Sequence, residues 1–466
     1  MKKDEKKAKI EEILSRGVGD FYDPEDVFRK KLQKKIEGKY QGEIIIKFGV
    51  DPTRPDIHLG HAVVFRRLRA LQDLGCKVVF LVGDFTAQIG DPTGKSKVRP
   101  EIEQREVEEN MKTYLDQVGK ILRTEKEVFS WMRNSEWFYT VTDIASPKEI
   151  TMNVKNEKGS FEIPINPNSF VGKAVYYEST RMQKTALGKD QVVGVSLRGL
   201  ISTLRSITHS RLIERDMFQE RIKNEQELSM HEMLYPVLQG IDSVMIERIY
   251  GSCDLEVGGT DQTFNMLMGR DVMKINKMTP QAVLSFKLLV GTDGVEKMSK
   301  SLGNYISITD APSDMYGKVM SIPDTAVLSF FELCTYTPIE NVRDIEKKLA
   351  KGANPRDAKM QLAKEIVSIY HGEDAAGKAE KDFVETFQKG GLPKDLPKTE
   401  ASEGALLLDI LLSQKFVKSK TDFKRLVDEG AISVFGGEKI TDHFFQVKED
   451  MVVKIGKKRF LKISVL

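Results

Sequence analysis

The fold can be inferred from Glu43-Ile44-Ile45-Ile46-Lys47-Phe48-Gly49-Val50, followed by Asp51-Pro52-Thr53-Arg54-Pro55 and then His58-Leu59-Gly60-His61. The apolar run predicts a buried strand, the proline-containing stretch a turn, and the apolar spacing from Leu59 onward a helix. A second apolar run follows at Lys77–Val82. Strand, helix and strand within about forty residues form a βαβ unit, which implies a parallel sheet.

The two histidines lie where a parallel sheet binds ligands, beyond the carboxyl end of the first strand. A helix N-terminus offers amide donors and a positive dipole end to an anion. His58 and His61 add side-chain donors on one side of the turn, and Gly60 leaves room for a nucleotide. The pair alone is equally consistent with metal binding or simple packing. A catalytic zinc site needs a third protein ligand, and the nearby sequence offers no further His or Cys.

A cationic loop, Lys297-Met298-Ser299-Lys300-Ser301, follows Gly291-Thr292-Asp293-Gly294. The glycines favour a mobile loop that could close on phosphates. Such a run alone is usually a solvated surface loop. Together with the upstream histidines, it favours a site that grips a nucleoside triphosphate, and we predict that the two clusters converge.

The segment Gly90-Asp91-Pro92-Thr93-Gly94-Lys95-Ser96 resembles a phosphate-binding P-loop. It has three residues instead of four between the first glycine and the Gly-Lys pair. Its Asp-Pro step suits a turn better than an amide cradle. A Walker-type NTPase is therefore excluded.

Composition indicates a soluble chain of several domains. The 466 residues suggest about three domains. The charges nearly balance, with 72 Lys+Arg against 69 Asp+Glu. Cys76, Cys253 and Cys334 form no CxxC pair, which argues against a disulfide scaffold or structural zinc. Because neither a signal peptide nor a membrane-length apolar run is evident, we expect a cytoplasmic protein without membrane contact.

The predicted organisation has five parts. They are an N-terminal helical arm (1–40), an α/β domain (41–305), a helix-rich region (306–389), a linker (390–400) and a compact α-then-β piece (401–466). Within the α/β domain, residues 141–200 look inserted. Glu157-Lys158-Gly159-Ser160 there suits a hairpin turn between residues 150–154 and 161–165.

His58-Leu59-Gly60-His61 followed by Lys297-Met298-Ser299-Lys300-Ser301 resembles the class I aminoacyl-tRNA synthetases. Residues 83–95, 235–242 and 258–262 resemble the tyrosyl-tRNA synthetase subfamily. The likeness covers most of 40–140 and 205–466, with the motifs in the family's order.

The resemblance implies an α/β fold with a Rossmann-like parallel-sheet catalytic domain. It also implies a helical anticodon-binding domain and a C-terminal S4-like α+β RNA-binding domain. The implied activity joins L-tyrosine to ATP, with Mg²⁺, giving tyrosyl-adenylate and pyrophosphate. Tyrosine then passes to the 3′ adenosine of tRNA(Tyr). The resemblance further implies a homodimer and no tightly bound cofactor or resident metal.

The resemblance also assigns site residues. Those expected to act on the phosphates are His58, His61, Lys297, Lys300 and Thr53. The remaining ATP-binding residues are Gly60, Asp51, Gly259, Asp261, Met298, Ser299, Lys95 and Arg99. Those expected to bind tyrosine are Asp91, Tyr235, Gln239, Asp242 and Gln262. Those expected to bind RNA are Lys418, Lys420, Lys424 and Arg425.

Among these residues, Asp242 is expected to accept the phenolic hydroxyl of tyrosine. Phenylalanine would leave this carboxylate unpaired, which is costly in a buried site. One departure bears on the same contact. Many members have Tyr then Cys where this chain has Lys47 and Phe48, and that Tyr is a second partner of the substrate hydroxyl.

Two other hypotheses stay open. One is an RNA-binding scaffold on a synthetase frame whose catalysis has lapsed, and the intact histidine and lysine motifs argue against it. The other is a different nucleotidyltransferase with the same phosphate machinery. The C-terminal RNA module and Asp242 disfavour that alternative.

Overall fold

The computed structural model describes residues 3–53, 56–93, 102–112, 114–138, 150–156, 159–165, 183–184, 190–191, 195, 197–388, 396–456 and 459–465. The chain divides into two compact units. The first comprises Met1–Asp310 with Ile322–Pro355, and the second Ala311–Ser321 with Arg356–Leu466.

The described helices are α1 (Lys3–Ser15), α2 (Val27–Ile36), α3 (Leu59–Asp73), α4 (Asp84–Ile89), α5 (Gln104–Lys112), α6 (Tyr114–Val118), α7 (Ser135–Phe138), α8 (Leu197–Leu204), α9 (His209–Ile213), α10 (Asp216–Lys223), α11 (Met230–Tyr250), α12 (Thr263–Ile275), α13 (Pro312–Met320), α14 (Val327–Cys334), α15 (Ile339–Ala350), α16 (Pro355–His371), α17 (Glu373–Gln388), α18 (Leu407–Ser413) and α19 (Lys420–Asp428). The described strands are β1 (Val18–Tyr22), β2 (Ile45–Val50), β3 (Lys77–Val82), β4 (Phe129–Arg133), β5 (Ile150–Asn156), β6 (Gly159–Ile165), β7 (Gln183–Lys184), β8 (Asp190–Gln191), β9 (Leu255–Gly259), β10 (Ala282–Phe286), β11 (Lys398–Ala401), β12 (Ala405–Leu406), β13 (Ile432–Val434), β14 (Gln446–Val447), β15 (Met451–Ile455) and β16 (Arg459–Val465).

The first unit is built on a six-stranded sheet in the order β1-β10-β9-β2-β3-β4. All neighbouring pairs are parallel except β1 with β10. The chain runs outward from β2 to β4 on one side and from β9 to β10 on the other. The strand order therefore reverses between β2 and β9, where a parallel sheet opens a crevice for ligands. The predicted parallel-sheet fold is confirmed.

The core of this unit lies between the sheet and the helix pair α11–α12. Ile45 and Val79 from the sheet pack in one cluster with Val237 and Ile241 of α11 and Val272 of α12. Helices cover the sheet, so β2 needs a nearly continuous apolar run instead of an alternating one. This is why the apolar run alone predicted the strand.

The predicted helical arm is wrong at residues 18–22, which form β1. This strand pairs antiparallel with β10, with Val18 opposite Phe286 and Tyr22 opposite Val283. The Asp20 N–H donates to Ser285 Oγ at 3.0 Å. The segment is short and largely exposed, so its own pattern carries no strand signal. The open edge of β10 supplies the hydrogen bonds that make it a strand.

Strand β10 is shorter than the predicted run of residues 283–290. Its parallel partner β9 ends at Gly259, which lies opposite Phe286. Beyond that point the chain leaves the sheet, and Val290 forms only an isolated bridge with Lys297. The end of β10 is therefore set by the length of its neighbour β9, which the local sequence of β10 does not contain.

The predicted hairpin in the inserted segment is confirmed in its strands. β5 and β6 pair antiparallel from Ile150 opposite Ile165 to Asn156 opposite Gly159. Glu157 and Lys158 lie outside the described residues, as does most of 141–200.

The second unit contains a helical part and a mixed α and β part. Helix α13 packs on α17, where the rings of Tyr316 and Phe383 lie 5.3 Å apart. Near the C-terminus, β11-β16-β15-β13 form a four-stranded sheet. Residues of α18 and α19, among them Leu411 and Phe423, share a core with this sheet. In the part of the chain described, no helix is both long enough and apolar enough to cross a membrane.

Candidate active site

A cavity of about 970 Å³ opens at the β2–β9 crevice. Its walls include Asp51 after β2, Gly83 after β3, Gly259 at the end of β9, and the loop around Met298. Thr53 also lines it, and its backbone N–H donates to the Asp51 carbonyl at 2.8 Å. The volume is at the upper end of the range for small-molecule sites.

One end of the cavity carries the two histidines at the start of α3. The His58 N–H donates to His61 Nδ1 at 3.3 Å, and the two rings lie 3.9 Å apart. Burial lowers the pKa of His58 to about 3, and the Lys300 ammonium contributes to that drop. Burial, His58 and Lys300 likewise hold the pKa of His61 well below its usual value. Both imidazoles are therefore neutral at pH 7 and can donate N–H bonds without placing a charge in the protein interior.

The cationic loop meets these histidines, as predicted. Met298 is buried, and a Cβ on Gly60 would lie 3.8 Å from Met298 Cβ and 3.0 Å from the His58 ring. The Leu59 N–H donates to the Ile306 carbonyl at 3.0 Å, just beyond the loop. Histidines and lysines from distant parts of the sequence thus line one cavity. His58 Nδ1 is buried without a hydrogen-bond partner among the described residues.

The loop is held in place by specific contacts, although Val295, Glu296 and Lys297 on it are exposed. Asn304 accepts from the Ser299 N–H at 2.8 Å and donates to Asp293 Oδ2 at 2.6 Å. Lys297 Nζ lies 2.9 Å from Asp261 Oδ2, at the end of β9. The ion pair ties the loop to the turn after β9, which also lines the cavity.

Beyond the histidines, Asp51 forms a cluster of hydrogen bonds at the cavity wall. It accepts from Tyr235 Oη and from Thr86 Oγ1, each at 2.8 Å. A Cβ at Gly83 would displace Asp51 Oδ1 and Thr86 Oγ1, so glycine at this position keeps the cluster intact. Burial raises the pKa of the Tyr235 hydroxyl, and Asp51 adds to the rise, so this group stays protonated.

Three predicted tyrosine-binding residues form a connected network. Gln262 Nε2 donates to Asp91 Oδ2 at 2.7 Å. Asn265 Nδ2 donates to Gln262 Oε1 at 3.0 Å and to Gln239 Oε1 at 3.1 Å. The network orients the side chains of Asp91, Gln262 and Gln239 relative to one another.

Asp242 lines the cavity from α11 and is only 3% exposed. Trp137 Nε1 donates to Oδ1 at 2.9 Å, and Asn134 Nδ2 donates to Oδ2 at 3.4 Å. Burial raises the pKa of Asp242 to about 7, although Lys47 and the two donors lower it. A buried acceptor of this kind suits a ligand hydroxyl.

The sequence of this chain matches the model of one known protein family. The family model described as tRNA synthetases class I (W and Y) matches residues 39–146 and 185–388. The chain belongs to this family.

Relatives of this synthetase match it over nearly its whole length. It is 40% identical to the tyrosine–tRNA ligase of Carboxydothermus hydrogenoformans, over 99% of this chain and 98% of the relative. It is 37% identical to tyrosine–tRNA ligase 2 of Vibrio cholerae, over 98% of this chain and 100% of the relative. Among solved structures, a C-terminally truncated mitochondrial tyrosyl-tRNA synthetase of Aspergillus nidulans matches with a TM-score of 0.55 and 21% identity. That match covers 81% of this chain and 94% of the other, and it supports the fold.

Sequence reasoning about this synthetase missed several cavity and support residues. They are Thr86, Asn134, Trp137, Arg215 and Glu256. Thr86 lies within residues 83–95, which carry the family resemblance, and Asn134 directly follows β4, so its position at a strand end is a sequence signal for the site. Arg215 carried no such signal. It is buried, bonds Thr93 Oγ1 and lies 3.9 Å from Asp91 Oδ1.

The remaining predicted residues lie outside this cavity or outside the described chain. Lys95 and Arg99 are outside the described residues. Lys418, Lys420 and Lys424 are exposed at and near the start of α19. Arg425 pairs with Asp422 at 2.8 Å and Glu429 at 3.0 Å. Within the described ranges, no three His, Cys, Asp or Glu side chains are grouped to hold a metal ion.

Proposed function

We propose that this chain is a tyrosine–tRNA ligase. It joins L-tyrosine to ATP, bound with Mg²⁺ as a substrate, and releases pyrophosphate. It then transfers tyrosine from the adenylate to the 3′ adenosine of tRNA(Tyr). The observation that carries the proposal is one cavity lined both by the histidine–lysine cluster and by the buried Asp242 carboxylate. Tyrosine–tRNA ligases that match nearly the full chain support it.

The phosphate end works by stabilising charge. The tyrosine carboxylate attacks the α-phosphorus, and the bond to the pyrophosphate oxygen breaks. Neutral His58 and His61 donate hydrogen bonds to the phosphate oxygens, and Lys297 and Lys300 supply positive charge. These contacts raise the rate to the extent that they strengthen at the five-coordinate phosphorus.

The rest of the ATP site surrounds these groups. Thr53 donates to the γ-phosphate, and Gly259 and Asp261 face the ribose. Because Lys297 is paired with Asp261 before binding, ATP must exchange that ion pair for its own contacts. The other assigned residues are Gly60, Asp51, Met298, Ser299 and, outside the described ranges, Lys95 and Arg99.

The amino-acid end offers acceptors that match an ammonium group. Tyr235 donates its proton to Asp51 and so keeps its oxygen lone pairs for the ligand. Asp91 contributes a carboxylate, and Gln239 a carbonyl oxygen. Gln262 faces the carboxylate side of the substrate.

The phenolic hydroxyl of tyrosine donates to Asp242. Trp137 and Asn134 already donate to this carboxylate and hold its oxygens in place. Phenylalanine has no hydroxyl and would leave the buried acceptor without its third partner.

The other regions serve the tRNA. We assign 306–389 to anticodon binding and 401–466 to an S4-like RNA-binding module. The protein acts in the cytoplasm. We further propose a homodimer, because α8 exposes the apolar side chains of Leu197 and Ile201 one turn apart, at 75% and 48%.

ATP–pyrophosphate exchange measured separately with each of the twenty amino acids tests the proposal. Exchange with tyrosine alone is expected. Exchange driven by another amino acid would overturn the tyrosine specificity. No exchange at all would favour the RNA-binding scaffold, and exchange driven only by a different kind of acceptor would favour another nucleotidyltransferase.

A further inference from the structure

Lys47 is a fully buried lysine in the wall of the proposed tyrosine site. Its Nζ lies 2.7 Å from the backbone carbonyl oxygen of Gln239, 2.9 Å from Ser243 Oγ and 2.9 Å from Glu256 Oε1. An ammonium has three N–H donors, and these three partners use all of them. Lys47 therefore cannot bond a substrate hydroxyl without giving up a partner.

Glu256 is equally enclosed, at 2% exposure. Besides Lys47, it accepts from Gln239 Nε2 at 3.0 Å and from Gln281 Nε2 at 2.8 Å. A Cβ on Gly269 of α12 would lie 3.1 Å from Glu256 Oε2, so a glycine makes room for the carboxylate. The Lys47–Glu256 pair thus joins β2, β9 and α11 beneath the cavity.

Asp242 lies one turn after Gln239 on α11 and interacts electrostatically with both members of this ion pair. Lys47 from β2 favours the ionised carboxylate, and Glu256 from β9 opposes it. The residues that bond Asp242 from the β4 side, Trp137 and Asn134, are neutral donors. Within this ion pair, Lys47 therefore lowers the pKa of Asp242 and Glu256 raises it.

We propose that the Lys47–Glu256 ion pair is the positioning element for phenol recognition, holding Gln239 in place and balancing the charge around Asp242. Many family members carry a second hydroxyl partner at position 47, whereas Lys47 here uses its three donors on Gln239, Ser243 and Glu256 and acts on the site through them. The inference rests on the proposed tyrosine–tRNA ligase activity.

Opposite charge changes provide the test. The kcat/KM for tyrosine in pyrophosphate exchange is measured against pH for the unmodified enzyme, Lys47→Met, Glu256→Gln and the double variant. Asp242 accepts the phenol proton more strongly when it is ionised, so kcat/KM is expected to fall on the acid side. The midpoint of that fall is expected to rise by roughly one pH unit in Lys47→Met and to drop by roughly one unit in Glu256→Gln. In the double variant, which removes both charges, it returns near the original value.

Two controls separate this role from simple support of the fold. Asp242→Asn should lose the acid limb, which assigns the limb to that carboxyl. KM for tyrosine should change more than kcat in each single variant. Each single variant leaves an unpaired buried charge, so both should lose stability. If Lys47→Met fails to fold, Glu256→Gln and the double variant still decide the direction.

Midpoints that stay in place, or that move the same way in both single variants, overturn the inference. Absence of tyrosine-dependent exchange in the unmodified enzyme would instead overturn the proposed function. The two failures are therefore distinguishable in one set of measurements.

Discussion

Burial, more than residue identity, sets the chemistry of individual side chains in this synthetase. His58 and His61 are neutral donors because the protein interior disfavours their charged forms. Burial also moves the pKa of Asp242 toward neutrality, but it raises this pKa, because the charged form of a carboxyl is the deprotonated one. A motif shows which side chains are present, and their surroundings decide which protons they carry.

Replacing His61 or Lys300 by Ala should slow adenylate formation by about 100-fold or more, the usual loss for one donor to a developing charge. Tyrosine affinity should change little, because neither residue contacts the amino-acid end. Single-turnover formation of adenylate and equilibrium binding of tyrosine separate the two effects. Lys274→Ala, which removes an exposed lysine of α12, is the matched control. Equal losses in rate and binding would contradict the assigned role.

The depressed pKa of His58 also predicts an acid-sensitive fold. Between the unfolded value near 6.5 and the folded value of about 3, the unfolded chain binds the proton and the folded chain does not. Stability is therefore lost as pH falls through this window. From about pH 7.5 to about pH 5 the loss from this residue is about 2 kcal/mol.

Urea unfolding at both pH values measures this loss. In His58→Asn, which introduces a residue favoured at helix N-caps, the drop in unfolding free energy should be smaller by about that amount. His209→Asn, at an exposed position, should keep the original pH dependence. An unchanged drop in His58→Asn would show that the imidazole is charged in the folded protein.

At the scale of elements, α11 organises the amino-acid end of the cavity. Tyr235, Gln239 and Asp242 are spaced by four and three residues, which places them on one face of a helix. Sequence spacing predicts that shared face because helical geometry is local. It does not predict that α12 packs close against α11 at Gly240.

Gly240→Ala should disturb this helix pair. A Cβ at position 240 would lie 2.7 Å from Val272 Cγ2 and 3.2 Å from the Gly269 Cα on α12. The helices must separate, so we expect a loss of about 1–3 kcal/mol in stability and weaker tyrosine binding. Thermal unfolding and tyrosine titration measure both. Gly377→Ala in α17 has no neighbour within 4 Å and should be neutral or stabilising. Equal effects at both positions would refute the close-packing argument.

At the scale of the whole molecule, catalysis and the candidate RNA-binding module of residues 401–466 are assigned to different units. The cavity belongs to the first unit, and the candidate RNA-binding residues to the second. Within the second unit the cations differ in their surroundings. Arg425 is already paired with two carboxylates, whereas Lys418, Lys420 and Lys424 are exposed around the N-terminus of α19.

Changing these three lysines to Gln should weaken tRNA binding and leave pyrophosphate exchange intact. A lysine that no longer neutralises a phosphate releases no counterion, so the slope of log affinity against log salt should become shallower by about two. Arg425→Gln should have a smaller effect, since that guanidinium must first leave Asp422 and Glu429. Binding measured over a salt series tests both. An unchanged slope in the triple variant would remove α19 from the RNA interface.

Local sequence pattern determined many of the secondary-structure elements and the site motifs of this protein. The βαβ unit, the shared face of α11, the hairpin of β5 and β6, and the two phosphate-end motifs are all readable from spacing and turn chemistry, which involve neighbours in the chain. The tertiary structure alone decided that residues 18–22 complete the sheet, that Trp137 and Asn134 bond Asp242, and that Lys47 is matched by Glu256. These contacts join residues far apart in sequence, and their strength depends on burial, which exists only once the sheet and helices have packed together.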